Sequence, residues 1–195
     1  YSWASRLPGE EPPGVEFVPM VYGFWGINDG FKTTIRDLLA AKKAGRHRHL
    51  LGFNEPDHKN QANMSVDRAV KAWPYLMKTG LRLGSPGAAH PDKEWMQQFM
   101  RRAKEQNLRV DFVAVHWYGG PNVESLVNRL KKVHQMYGKP IWITEFAVAD
   151  WTAKSLETNK HKPWRVQQFM KEALPRLDKL LSLIHISEPT RHASI

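Results

Sequence analysis

The apolar positions of the chain follow two alternating patterns. Nearly continuous short apolar runs lie at 15–23, 49–57, 81–90, 110–120 and 139–150. Between them, apolar residues recur at helical spacing in segments at about 31–44, 65–77, 92–103, 123–133 and 164–180. A short apolar run is typical of a strand buried on both faces, and helical spacing is typical of an amphipathic helix. Gly45 suits a helix C-terminal cap, and Ser65 and Asp92 suit N-terminal caps. The pattern therefore predicts a strict strand–helix repeat.

Strict alternation of strands and helices implies a parallel sheet with right-handed crossovers. A closed barrel and an open doubly wound sheet both satisfy it. The first strand–helix loop has no glycine-rich phosphate motif, and several strands end in polar or aromatic residues. In a barrel, the active site occupies that face. The sequence therefore predicts an α/β fold of the (β/α) TIM-type barrel class.

The two ends of the chain do not fit a complete barrel. Tyr1–Trp3 looks like the end of a first strand, and residues 181–195, LSLIHISEPTRHASI, break the alternation. Read at face value, LSLIHI would be the next strand, but LSLIHISEPTR resembles the translation of a common sequencing adaptor. We expect one catalytic domain over 1–180, a non-native segment over 181–195, and a barrel that is incomplete at both ends. Unpaired strand edges should then lower stability and activity.

Composition narrows the class of protein. The 195 residues are 42% hydrophobic, which suits one globular domain, and no apolar stretch approaches the roughly 18 residues that span a membrane. There is no cysteine. The net charge of +10 raises the question of nucleic acid, but the basic residues are spread along helix faces without a dense tract. We expect a solvated basic surface, no nucleic-acid partner and a monomer; attraction to an anionic cell envelope remains an alternative.

Two glutamates lie at the carboxyl ends of predicted strands. Glu55 lies in GFNEPD and Glu145 lies in WITEFA, three strands later. In a closed barrel both side chains would point into one cleft. Two facing carboxylates, one protonated and one ionised, are what hydrolysis of a glycosidic bond needs. The alternative is that each glutamate is an isolated turn residue or a partner of a helix dipole.

The strand between the two glutamates ends in His116, Trp117 and Tyr118. By position, Tyr118 or His116 could hydrogen-bond the Glu145 carboxylate and keep its pKa low. His116 fits equally well as a buried core histidine. No spacing of histidines and acids forms a metal-ligand set, so we expect no metal and no cofactor.

Aromatic residues near strand ends suit carbohydrate, because the CH face of a sugar packs on flat rings. The candidate platforms are Trp25, Trp117, Phe146 and Trp151. Three further tryptophans lie on helical apolar faces and are expected in the core: Trp73, Trp95 and Trp164.

Five ordered motifs carry a family resemblance that covers nearly all of residues 1–180. Asn54-Glu55-Pro56 and Ile143-Thr144-Glu145-Phe146 resemble the catalytic motifs of clan A retaining glycoside hydrolases. More narrowly, the chain resembles glycoside hydrolase family 128, a family of endo-β-1,3-glucanases, in VEFVPMVYG, LLGFNEPD, GSPGAA, VDFVAVHWYG and PIWITEFA.

This resemblance implies roles for individual residues. Glu55 would be the general acid/base, Glu145 the nucleophile of a retaining reaction, and Asn54 a hydrogen-bond partner of the sugar 2-hydroxyl. The substrate would be a β-1,3-glucan, which implies an extracellular or cell-wall location. Two alternatives stay open: a non-catalytic β-glucan-binding protein on the same barrel, and a clan A hydrolase of another β-linkage.

Overall fold

The computed structural model describes residues 1–7, 9–11 and 13–181. In these residues helices and strands alternate in the order α1 (Asp29–Lys43), β1 (His49–Leu50), α2 (Val66–Met77), β2 (Arg82–Leu83), α3 (Glu94–Glu105), β3 (Val113–Gly119), α4 (Val123–Tyr137), β4 (Ile141–Val148) and α5 (Pro163–Leu181). The predicted strand–helix alternation matches this order. The predicted adaptor-derived segment lies outside the described residues from position 182 onward.

The strands lie side by side in sequence order, and all pairs are parallel. β1 pairs with β2, and β3 pairs with β4. An isolated bridge between Gly84 and Phe112 links the β2 region to the segment before β3, and another joins Met20 to Leu51. Within the described residues no pairing joins the first strand to the last, so they show a parallel α/β arrangement without barrel closure.

The run 15–23 differs from its prediction as a strand, since it contributes only the bridge at Met20. Pro19 explains part of this, because proline has no N–H to donate to a ladder. The Pro19 carbonyl still accepts from the Leu51 N–H at 2.9 Å. On the other side, the Met20 N–H donates to the Ala4 carbonyl at 2.9 Å, which holds the N-terminal segment against this run.

Side chains on the two sides of the strands form two apolar clusters. Leu50 and Val113 belong to the large cluster shared with the helices, whereas their neighbours Leu51 and Phe112 belong to a small cluster with Met20. Adjacent strand residues point to opposite faces, so the small cluster lies on the side away from the helices. Phe112 stacks there on Trp142 with ring centroids 4.1 Å apart.

Some predictions about helix caps and helix tryptophans are confirmed, and others are wrong. Ser65 caps α2 by accepting from the Arg68 N–H, as predicted. The Asp92 prediction is wrong: Lys93 occupies the N-cap position of α3, and Asp92 instead accepts from Arg129 and Lys132 of α4. Trp73 and Trp95 pack in the core, but Trp164 is 65% exposed, because it lies in the first turn of α5 away from the core-facing Phe169.

No helix in the described part of the chain combines the length and apolar character that crossing a bilayer requires.

Candidate active site

Glu55 lies just after β1, on a strained stretch of backbone. Its φ of 38° falls in the left-handed region, which residues with a side chain rarely adopt. Neighbouring hydrogen bonds hold it there: the Glu55 N–H donates to the Gly87 carbonyl at 2.8 Å, and the Asp57 carboxylate accepts from the N–H groups of Ala89 and His90. Strain of this kind persists where the surroundings over-determine it, and it concentrates at functional sites.

Glu145 reaches the same place through a β-bulge in β4. Val115 pairs with Ile143, but the next residue of β3, His116, pairs with Glu145, so Thr144 is the extra residue. A bulge shifts every later side chain of its strand relative to the partner strand. Without it, His116 would lie opposite Thr144. The bulge thus sets Glu145 beside His116 on the face opposite the helices.

Three side chains donate hydrogen bonds to the Glu145 carboxylate. Tyr118 donates to Oε2 at 2.6 Å, while Tyr1 and Trp3 donate to Oε1 at 2.8 and 2.7 Å. Burial alone would raise the pKa of Glu145, but Tyr118, the nearby His116, Trp3 and Tyr1 together hold that pKa below its ordinary value. Burial and the Glu145 carboxylate raise the pKa of both phenols, so Tyr118 and Tyr1 keep the protons that they donate.

His116 joins the two carboxylates. Its Nδ1 lies 3.0 Å from Glu55 Oε1 and 3.4 Å from Glu145 Oε2, and its side chain is almost wholly buried. Nδ1 is therefore within hydrogen-bond reach of Glu55 and close to Glu145. The other ring nitrogen, Nε2, is buried and has no hydrogen-bond partner among the described residues. It faces Gly87, where an added Cβ would lie only 2.7 Å away. The absence of a side chain at position 87 makes room for the imidazole.

Among the described residues, Glu55, His116 and Glu145 form a group of side chains that could bind a metal ion. One ligand atom from each of Glu55, His116 and Glu145 lies within 4.8 Å of the others. This spacing could hold a divalent cation. The imidazole and the Tyr118 phenol also lie within hydrogen-bond distance of these carboxylates.

A cleft of about 410 Å³ opens over the two glutamates. It is lined by Trp3, Tyr22, Asn54, Glu55, Gln61, Tyr118, Glu145 and Trp151. Besides the two glutamates, three predicted site residues line this cleft: Asn54, Tyr118 and Trp151. A fourth, His116, contacts both glutamates. Trp151 is 78% exposed and its indole N–H donates to the Tyr118 carbonyl at 3.0 Å, which fixes the ring at the rim.

The other three predicted aromatic residues lie in different surroundings. Trp25 is 65% exposed, stacks on Tyr22, and lines an adjoining cavity. Phe146 packs against Phe169 of α5 and also borders a small cavity beside Glu145. Trp117 is only 7% exposed and belongs to the large core cluster, so it offers no ring face to a ligand. On β3, Trp117 alternates with His116 and Tyr118 and therefore points toward the helices.

Four residues of the site escaped the sequence reasoning: Tyr1, Trp3, Tyr22 and Gln61. Tyr1 and Trp3 carried a usable signal, because they were already assigned to the end of a strand, where site residues collect in a parallel α/β fold. Tyr22 ends the run 15–23 in the same way. Gln61 lies inside a loop, where no periodicity marks it.

A pair of partly buried carboxylates, one after a parallel strand and one within another, in an aromatic-lined cleft, is the arrangement of a glycoside hydrolase. The profile of the family described as glycosyl hydrolase catalytic core matches residues 1–187. The chain belongs to this family, and within it to the family 128 catalytic domains.

Solved structures from three subgroups of glycoside hydrolase family 128 are similar to this chain. The subgroup I endo-β-1,3-glucanase of Amycolatopsis mediterranei, in complex with laminaripentaose, is 35% identical with a TM-score of 0.79, over 92% of this chain and 74% of that chain. The subgroup III curdlan-specific exo-β-1,3-glucanase of Blastomyces gilchristii is 33% identical with a TM-score of 0.73, over 91% and 74%. The subgroup II endo-β-1,3-glucanase of Sorangium cellulosum is 27% identical with a TM-score of 0.67, over 91% and 73%.

One curated relative is alkali-sensitive linkage protein 1 of Schizosaccharomyces pombe. It is 35% identical over 139 residues, which are 66% of this chain and 24% of the relative. The chain therefore spans about a quarter of the length of the curated relative that it matches.

Proposed function

We propose that residues 1–180 form the catalytic domain of a retaining endo-β-1,3-glucanase on a (β/α) TIM-type barrel. Three family 128 neighbours act on β-1,3-glucan or hold laminarioligosaccharides, and they cover nine tenths of this chain. The substrate in this proposal is a β-glucan polysaccharide or oligosaccharide. An extracellular or cell-wall location and a monomeric state belong to the same proposal.

The short distance between the two carboxylates supports the proposed retention of anomeric configuration. One oxygen of Glu55 and one of Glu145 lie within 4.8 Å of each other. Retaining glycosidases hold their carboxyl groups about 5–5.5 Å apart, whereas inverting ones leave about 6.5–9.5 Å for a water molecule. The shorter spacing leaves no room for that water, so it favours double displacement.

The surroundings of the two glutamates support a division of their roles. Glu145 is held as an anion by three donors, which suits the nucleophile. In the first step its carboxylate would form a bond to the anomeric carbon while the glycosidic C–O bond breaks, and protonated Glu55 would give its proton to the leaving oxygen. In the second step Glu55 would take a proton from water, whose oxygen attacks the same carbon and releases Glu145.

Substrate contacts follow from the cleft. Asn54 precedes Glu55, and its Oδ1 is buried with no hydrogen-bond partner in the part of the chain that the structure describes. This side chain is proposed to hydrogen-bond the sugar 2-hydroxyl. The exposed rings of Trp25 and Trp151 flank the cleft and suit the apolar faces of neighbouring glucosyl units. His116 and Tyr118 act on the glutamates, and Phe146 borders the cavity beside Glu145.

The testing experiment follows laminarin hydrolysis by proton NMR, with time-resolved detection of the first anomer released and separation of product sizes. The proposal expects initial β-anomers and a ladder of oligosaccharides from laminarin, with little product from cellulose or xylan. Initial α-anomers would contradict retention, and glucose as the sole early product would identify exo action. Binding without any hydrolysis, in a chain with both glutamates, would support the glucan-binding alternative.

A further inference from the structure

Gln61 reaches the cleft from a tightly closed loop between β1 and α2. Consecutive backbone hydrogen bonds fold this loop back on itself: His58 N–H to the Glu55 carbonyl at 3.0 Å, Gln61 N–H to the His58 carbonyl at 3.1 Å, and Ala62 N–H to the Asn54 carbonyl at 3.2 Å. The backbone of Gln61 is therefore held next to Asn54 and Glu55.

The side-chain oxygen of Gln61 accepts two hydrogen bonds from within the protein. Oε1 accepts from the Tyr22 hydroxyl at 2.5 Å and from Asn54 Nδ2 at 3.3 Å. An amide oxygen has two lone pairs, so these two donors occupy both. In the part of the chain that the structure describes, the amide nitrogen Nε2 has no hydrogen-bond partner, and Gln61 is exposed in the lining of the cleft that holds both glutamates.

We propose that Gln61 is a substrate-binding residue whose Nε2 donates a hydrogen bond to an oxygen of the glucosyl unit beside the catalytic pair. With both acceptor positions taken, the side chain can offer the cleft only donors, so it selects an acceptor oxygen on the sugar. This inference rests on the proposed function, because it needs a glucan in the cleft.

The contacts of Gln61 also couple two parts of the binding surface. Tyr22, which donates to Gln61, stacks on the exposed ring of Trp25. Asn54, the other donor, adjoins Glu55. A sugar that binds Gln61 would therefore be positioned relative to both the Trp25 ring and the proposed acid Glu55.

The test measures binding of laminaripentaose by calorimetry at neutral pH in the Glu145→Gln background, which removes turnover. Gln61→Glu keeps an oxygen for Tyr22 and Asn54 but turns the outward donor into an acceptor. We expect at least about a tenfold loss of affinity, as the loss of a hydrogen bond that leaves a polar group facing an acceptor implies. Gln61→Met, which preserves the length of the side chain, should lose a similar factor. Gln135→Glu, at an exposed position of α4, makes the same charge change far from the cleft and should bind like the parent.

Thermal melting of each variant checks that the chain is folded. If folded Gln61→Glu binds laminaripentaose as tightly as the Glu145→Gln parent, the inference is overturned while the proposed function stands; a loss in Gln61→Met alone would also overturn it, because only the internal acceptor would then matter. If the parent itself binds no laminaripentaose, the proposed function fails and the inference fails with it.

Discussion

The two glutamates have the same side chain but contrasting surroundings. Glu145 lies in a paired strand, and three donors hold its two oxygens. Glu55 lies on left-handed backbone after β1, and the hydrogen bond of its carboxylate within the described residues is to His116 Nδ1. The first environment stabilises an anion, and the second leaves one oxygen of the Glu55 carboxylate without a hydrogen bond in the described residues. Under the proposed roles, the neighbouring side chains and not the residue type would separate the nucleophile from the acid.

The largest expected effect comes from removing each carboxylate in turn. Glu145→Gln should lower kcat/KM on the order of 10⁵-fold with every substrate, as loss of a covalent nucleophile does. Glu55→Gln should cost about 10²–10⁴-fold on laminarin. With a nitrophenyl β-laminarioside, whose leaving group needs no proton, the Glu55 variant should still release a burst of nitrophenol. Equal losses for both variants on both substrates would mean that the roles are not divided in this way.

Gly87→Ala tests the imidazole that both glutamates share. The new Cβ would lie 2.7 Å from His116 Nε2, and the buried ring must move. We expect a destabilisation of about 1–3 kcal/mol from overpacking and a roughly 100-fold lower kcat/KM from the displaced network. The measurements are urea unfolding and laminarin kinetics.

Gly30→Ala is the matched control for this substitution. Gly30 lies in α1, and the nearest atom to an added Cβ is Asn28 Oδ1 at an ordinary 3.4 Å. It should leave both stability and activity near the parent values. An unaltered Gly87→Ala variant would show that the imidazole position does not matter.

Tyr118→Phe tests whether the phenol donor keeps the pKa of Glu145 low. The Glu145 anion is needed for attack, and its low pKa keeps it ionised until the pH falls through that value. Loss of the phenol donor should raise the pKa of Glu145, so the acidic limb of the profile of kcat/KM against pH should move to higher pH. At the optimum we expect a loss of about tenfold, the scale of one hydrogen bond to a charged group. An unshifted acidic limb would assign that limb to another group.

Apart from the Gly30→Ala control, Trp3→Phe should have the smallest effect of these substitutions. It removes the indole donor to Glu145 Oε1 but keeps an aromatic ring, and Tyr1 still donates to the same oxygen. A loss of roughly fivefold in kcat/KM is expected, with a smaller upward shift of the acidic limb than in Tyr118→Phe. A shift larger than that of Tyr118→Phe would reverse the order of the two donors.

Sequence patterns anticipated much of the fold, because alternation and helical spacing are local properties. The helix from Val66 to Met77 with its Ser65 cap illustrates this. Predictions from local patterns failed where a contact with a distant residue determines the role of a side chain. Asp92 has the right residue type for a cap, but Arg129 and Lys132, almost 40 positions later, compete for its carboxylate. Trp117 has the right position for a platform, but strand alternation turns its ring into the core.

By itself, the sequence determined the strand–helix order, the placement of Glu55 after one strand and of Glu145 in another, and the family to which the chain belongs. These follow from the spacing of apolar residues and from short ordered motifs. Only the tertiary structure decided which side chains surround each glutamate. The bulge at Thr144, the left-handed backbone at Glu55 and the N-terminal donors Tyr1 and Trp3 join residues up to 144 positions apart. Such contacts arise from packing of distant segments, which no local pattern records.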